Sequence, residues 1–244
     1  LNQLISKTQG IVISHIAYSE TSVIAKIFTE HFGMQSYMIK AVRKTNARIK
    51  MVMLQPLTLI EFVTQHKPNK TIHYITDITT APAYQTIPYD VTKSALAFFI
   101  AEVIGKSIRE EEANLNLFEF IKQHLLWFDA HNGSNKQFHH YFLLQLTQHL
   151  GFFPDGVYDV NHTFFDLREG VFAGKMPMHP DFISLDEANV MHQFIQSKLH
   201  THHQIPTNNA IRKTLLNNIL KYYYHHNLSG STIKSHLILE AVFD

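Results

Sequence analysis

The 244-residue chain contains no cysteine, which removes disulfides, thiolate metal sites and cysteine nucleophiles. Its eighteen histidines are then the remaining strong metal-type ligands. No apolar run reaches the roughly 18 residues that would span a bilayer. The opening LNQLISKTQGIVIS lacks the unbroken apolar stretch and small-residue cleavage site of a secretory leader, so a cytoplasmic protein without a membrane partner is expected. Catalytic signatures are missing too. There is no GxxxxGK[ST] phosphate cradle, no GxGxxG turn and no GxSxG elbow, so ATP hydrolysis, dinucleotide binding and serine hydrolysis lack their scaffolds. Asp90, Asp129, Asp155 and Asp166 read as helix caps, turn residues or surface carboxylates rather than as acid/base pairs.

Histidine abundance makes a metalloenzyme the natural rival reading. His139 with His140, the group His200, His202 and His203, and His225 with His226 cluster in sequence, but none forms HExxH. Adjacent helical residues point about 100° apart, so such pairs seldom chelate one ion. These histidines read as solvated or interfacial, with no metal, no cofactor and no catalytic residue expected.

What the chain has is an uneven charge. Residues 1–80 carry nine Lys/Arg against four Asp/Glu, a net +5, residues 81–160 five against nine, and residues 161–244 seven of each. The 30 residues between Glu30 and Glu61 hold no carboxylate, yet Lys40, Arg43, Lys44, Arg48 and Lys50 fall within eleven positions. A basic loop at the end of a strand can follow a phosphate backbone without reading bases. These five are the candidate nucleic-acid-binding residues. Tyr37, just ahead of them, reads as a barrel-core aromatic in preference to a stacking platform for a base.

The pattern of apolar residues divides the chain. Gly10–Ile16, Ser22–Thr29, Gln35–Ala41 and Leu57–Val63 are rich in β-branched and aromatic residues, and five strands in about 75 residues suit a closed OB-type barrel. In Ser22–Thr29, Val23, Ala25 and Ile27 share one face and Ser22, Ile24 and Lys26 the other. Pro82 and Pro88 bracket a connection that neither helix nor central strand tolerates. A boundary is placed there, giving a barrel domain over 1–80 and a helical domain over 81–244. The apolar steps Leu96, Phe99, Ile100, Val103, Ile104, then Phe118, Ile121, Leu125, Phe128, then Phe138, Phe142, Leu143, Leu146, Leu150 predict three helices. The second follows the acidic Glu110, Glu111 and Glu112, and the third stops near Gly151. Residues 152–182, with Pro154, Gly156, Gly170, Gly174, Pro177 and Pro180, read as irregular. Ser184 and Glu187 form a capping-box pattern opening a helix through Ala188, Met191, Ile195 and Leu199. A last long helix is expected over Asn208–His226, with Ile211, Leu215, Ile219 and Tyr222 or Tyr223 inward.

Several segments resemble the RecO family of recombination mediators in order and spacing. They are Tyr18-Ser-Glu-Thr-Ser-Val-Ile, Phe28-Thr-Glu, Phe32-Gly33, Lys40-Ala-Val-Arg43-Lys44 and Leu54-Gln-Pro-Leu57, then Leu150-Gly-Phe-Phe-Pro-Asp155 and Tyr222 to Leu237 with Ile233-Lys234-Ser235. The acidic run and the Pro154 region look closest to Bacteroidetes-like members. The resemblance implies an α+β multidomain protein: a five-stranded OB-type barrel, then a mainly α-helical domain with a zinc-finger-like region. It further implies binding of single- and double-stranded DNA, annealing of complementary strands, a nucleoid-associated location, and partnership with RecR, with RecF and RecA indirectly. Docking of the C-terminal tail of single-stranded-DNA-binding protein is implied as well, and needs an apolar pocket rimmed by Lys or Arg. Two departures stand out. Ala41 occupies a place where many members have glycine, so any backbone conformation needing glycine is in doubt. The four-cysteine zinc module of many relatives has no cysteine here, and Phe164, Phe165 and Phe172 are expected to replace the metal by packing. A protein-interaction scaffold without direct DNA binding is the alternative.

Overall fold

A computed structural model describes every residue except 1–3, 67–69, 81, 109–111, 229 and 244. The chain packs as two compact units, Leu1–Ala130 and His131–Asp244. Of the acidic run, Glu110 and Glu111 lie outside the described residues, and Glu112 is exposed.

The first unit contains a closed five-stranded barrel. Strands β1 (Leu4–Ala17), β2 (Val23–Thr29), β3 (Gly33–Ile39), β4 (Leu59–His66) and β5 (Ile72–Thr80) close in the order β1-β2-β3-β5-β4. All neighbours are antiparallel except β3 and β5, and closure leaves no free sheet edge. The alternation expected for the second strand holds. Val23, Ala25 and Ile27 point into a core shared with Tyr37, Ile39, Ile60, Phe62, Ile75 and Ile78. Tyr37 is 0% exposed, so it belongs to the barrel core.

Two bulges adjust this pattern. In β1 the register slips between Val12 and Ser14, leaving Ile13 as an extra residue, so consecutive Val12 and Ile13 are both buried. Ile13 serves the outer face, where helix α1 (Val91–Ser107) packs. There a Cβ on Gly105 would come within 2.7 Å of Cγ2 of Ile13, and Lys26 Nζ donates to the Gly105 carbonyl at 2.9 Å. In β5 the slip opposite Val63 and Thr64 makes Thr76 the extra residue, so Ile75 and Ile78 both face inward and Asp77 is turned out. Bulges re-aim side chains in this way.

Asp90 caps α1 by accepting from Lys93 N. Helix α2 (Leu115–Ala130) brings Phe118 to 6.1 Å from the Phe28 ring. Asp129 near its end is buried and accepts from the backbone amides of Gln85, Thr86 and Ile87, which hold its carboxyl below the usual range against the opposing effect of burial. It is a turn anchor for the connection between Pro82 and Pro88.

The second unit holds α3 (Phe138–Leu150), α4 (Leu185–Gln196), α5 (Asn209–His226) and α6 (His236–Phe243). Gly151, with φ 83°, ends α3 as expected. Three expectations need correction. The segment 152–182 is not wholly irregular, because β6 (Phe164–Asp166), β7 (Val171–Ala173) and β8 (Phe182–Ser184) form a small antiparallel sheet in the order β7-β6-β8. Ser184 makes no capping hydrogen bond to α4; Leu185 after it is left-handed, φ 51°, with its amide given to the Thr163 carbonyl at 3.1 Å, and the helix ends at Gln196, before Leu199. The clustered histidines are not all at the surface. His139, His140 and His202 are 2%, 1% and 1% exposed, since α3 is apolar around most of its circumference. His140 donates from Nε2 to the Arg212 carbonyl at 2.7 Å, and the His202 ring stacks on Tyr141 at 4.5 Å.

In the small sheet, Phe165 is fully buried and meets Phe172 edge-on at 4.9 Å and Tyr222 at 5.5 Å. Phe164 meets Phe182 at 5.8 Å. Aromatic packing thus fills this region. Among the described residues, no helix is long and apolar enough to cross a membrane.

Candidate nucleic-acid interface

The segment from Lys40 to Lys50 leaves β3 and returns to a 3₁₀ turn at Met51–Leu54. It has almost no regular structure, yet two apolar residues tether it: Val42 and Ile49 are buried in the barrel core. All five basic residues are exposed. This follows from the spacing, since the residues that could enter the core are Val42 and Ile49, and the charged stems must then lie over the barrel surface.

Ala41 turns the chain out of β3 with φ 59°. The left-handed conformation that glycine adopts freely is therefore kept here by alanine, and Lys44 N closes the turn on the Ala41 carbonyl at 3.2 Å. The doubt raised by the missing glycine resolves as an alanine held in the left-handed region at a steric cost.

Three of the five cations share a groove. Lys40, Lys44 and Arg48 line a hollow of about 560 Å³ together with Ala41, Asn46, Ala47, Ile49, Gln65, Tyr74, Ile75 and Thr76. Arg43 points to the turn between β1 and β2, where its guanidinium donates to the Ser19 carbonyl at 3.2 Å. Lys50 is exposed but does not line the groove. Arg48 is paired with Asp77 at 2.7 Å, a contact made possible by the β5 bulge. Among the described residues, the other four basic side chains make no ion pair with a carboxylate.

Sequence reasoning missed Tyr74. It stands on the outer face of β5, 45% exposed, with Lys40 Nζ 5.1 Å from its ring centre. The signal was present in the alternation Ile72, Tyr74, Thr76 outward against His73 and Ile75 inward. Behind the ring, on the inner side, His73 Nε2 donates to Gln35 Oε1 at 3.2 Å, and the imidazole stacks with His66 at 4.2 Å. Burial, aided at His73 by the neighbouring His66, lowers both imidazole pKa values.

Among the described residues, no three His, Asp or Glu side chains gather where they could hold one metal ion. A hollow in the second unit, about 370 Å³, is lined by Gln193, Gln196, Ser197, Thr201, Gln204, Ile205 and Pro206. That mostly amide and hydroxyl lining differs from the apolar, cation-rimmed pocket expected for an acidic, hydrophobic-ended tail.

Two family models match the chain, one after the other. Residues 4–84 match the family model described as recombination protein O N terminal, and residues 88–236 the one described as recombination protein O C terminal. The chain is similar to the DNA repair protein RecO of Bacteroides fragilis, 34% identical over 244 residues that cover 99% of this chain and 100% of the relative. It is also similar to the DNA repair protein RecO of Flavobacterium psychrophilum, 34% identical over 97% of this chain and 98% of that one. The corresponding protein of Porphyromonas gingivalis is 25% identical over 99% and 100%.

Proposed function

The chain belongs to the RecO family of DNA repair proteins, and on that premise we propose that it is a recombination mediator that works without a catalytic centre. Its barrel holds single- and double-stranded DNA by the sugar-phosphate chain, brings complementary strands together, and, with RecR and RecF, helps load RecA where single-stranded-DNA-binding protein covers the strand. The observation that carries this reading is the groove on the barrel, lined by Lys40, Lys44 and Arg48 and flanked by the exposed Arg43 and Lys50.

The mechanism needs no fuel. Cations that hold two strands reduce their mutual repulsion and raise their local concentration, so the free energy of base pairing drives annealing. Phosphate contacts carry no sequence information, which suits a protein that must act at any gap. If five cations each met one phosphate of a single strand, the salt slope would be about −3.5. With Arg48 held by Asp77, four remain, and the slope becomes about −2.8, roughly a fiftyfold loss of affinity between 50 and 200 mM salt.

The test is a salt titration of single-strand binding by the wild type and by the double variant Arg43→Ala, Lys44→Ala. Two lost phosphate contacts should flatten the slope by about 1.4 and weaken binding about equally on unrelated sequences. An unchanged slope removes the loop from the interface, and no salt-sensitive retention by the wild type leaves the protein-interaction scaffold as the better reading.

A further inference from the structure

We propose that the groove on the barrel takes an unpaired nucleotide, with its base stacked on Tyr74 and its phosphate met by Lys40 and Lys44. The inference rests on the reading of the groove as a DNA interface and adds that the bound form there is single-stranded.

A half-exposed tyrosine is unusual where most large rings of the barrel are buried: Tyr37, Phe28 and Phe62 are all within 1% of full burial. Tyr74 cannot join them. Its neighbours His73 and Ile75 take the inward places on β5, and its ring is left on the outer face in a hollow rimmed by cations. Register places the rest of the groove around it. Gln65 of β4 lies directly across from Tyr74, and Met38 of β3 is its partner on the other side. Lys40, two residues beyond Met38, therefore falls diagonally across from Tyr74, and its amine lies over the ring, 5.1 Å from the centre, so a base that stacks on that face displaces the amine toward the phosphate. A flat apolar surface and a positive charge at that separation match the two ends of one nucleotide, the base and its phosphate.

The volume fits the same ligand. About 560 Å³ lies within the roughly 300–1,000 Å³ typical of sites for small ring-bearing ligands. In a double helix both faces of each base are already covered by its neighbours, so a duplex can present only its backbone to this rim. A ring at the groove wall is useful only to a base that has left the stack. The remaining polar lining is tolerant of base identity, because the Asn46 and Gln65 amides each offer a donor and an acceptor, and the Thr76 hydroxyl, which donates to the Val63 carbonyl at 3.3 Å, offers an acceptor. Stacking likewise accepts every base, as a mediator acting at any gap requires.

The test uses the full chain with three ligands of one length: a single-stranded pyrimidine oligonucleotide, its abasic counterpart with the same phosphates, and the duplex. Tyr74→Ala should weaken binding of the single strand by about 5- to 150-fold, the range of one lost base–aromatic stack. It should leave the abasic strand and the duplex unchanged, and Tyr74→Phe should bind like the wild type. On the wild type, a 2-aminopurine in the strand should be quenched on binding, a readout that does not depend on any variant folding. Equal loss on all three ligands, or no loss with Tyr74→Ala and no quenching, overturns the inference. If Lys40→Ala with Lys44→Ala still weakens all three, the groove remains a phosphate site and only the stacked base is lost. If those lysine substitutions also change nothing, the reading of the groove as a DNA interface falls with it.

Discussion

Ala41 bears the steric cost of the left-handed region, φ 59°, at the point where the basic segment leaves β3. A methyl group in that conformation costs about 1 kcal/mol relative to glycine. Ala41→Gly should therefore stabilise the chain by about 0.5–1 kcal/mol, read as a higher urea midpoint at unchanged slope, with the charges and the groove preserved. A lower midpoint would mean that the methyl packs usefully on the barrel. Asp77 is the other residue with a separable effect. Its pair with Arg48 is exposed on both sides, and such pairs contribute about 0–1 kcal/mol. Asp77→Asn should leave stability nearly unaltered and release Arg48 to DNA, steepening the single-strand salt slope by about 0.7. An unchanged slope would show that Arg48 never faces the phosphates.

At the level of elements, α3 carries the pH sensitivity. His139 and His140 are buried and adjacent, and their pKa values are lowered, His140 to about 4, by burial above all; the charges of His140 and Arg212 add to the effect at His139, whereas at His140 the hydrogen bond to the Arg212 carbonyl opposes it and the Arg212 charge adds to it. The folded unit then binds fewer protons than the unfolded chain between pH 6.5 and about 4, so acid favours unfolding. Stability contributed by keeping His140 neutral is complete above pH 6.5 and falls by on the order of 3 kcal/mol as the pH drops to about 4. Urea midpoints across that range should decline with acid, and His140→Phe should flatten the decline. A midpoint independent of pH would mean that these rings are hydrated in solution.

The elements also show which parts of the sequence were readable. Helices α2 and α5 declared themselves because each buries one face over several repeats of its period, and β2, β3, α1 and α3 through dense apolar runs that are buried on most sides. The strands of the small sheet are three residues long, too short for an alternation to appear. Ser184 starts α4 without a side-chain cap, and the left-handed Leu185 that follows it, φ 51°, is a turn that no local motif reveals. The basic residues were visible as charge. That Lys40, Lys44 and Arg48 meet at one groove while Arg43 and Lys50 do not depends on the path fixed by Val42 and Ile49. Tyr74 escaped notice because the ring nearest the charges in sequence was Tyr37, which the barrel consumes.

For the whole molecule, the division at Ala130 has a consequence for what folds alone. Helices α1 and α2 cover the barrel through Gly105 against Ile13 and Phe118 against Phe28. A fragment 1–130 should unfold cooperatively, whereas 1–84 should be less stable by several kcal/mol, since it exposes Phe28 and Ile13; fully burying a side chain of that size contributes about 1.5–3 kcal/mol. Equal midpoints for the two fragments would show the helices to be dispensable. The most direct measurement of the central claim is the annealing rate of complementary strands with the full chain, in chelator and without nucleotide, for the wild type and for Lys40→Glu with Lys44→Glu. The expected result is acceleration by the wild type that declines with salt and is absent in the charge-reversed variant of intact fold. Acceleration that survives the reversal would contradict a barrel groove that gathers DNA by its phosphates.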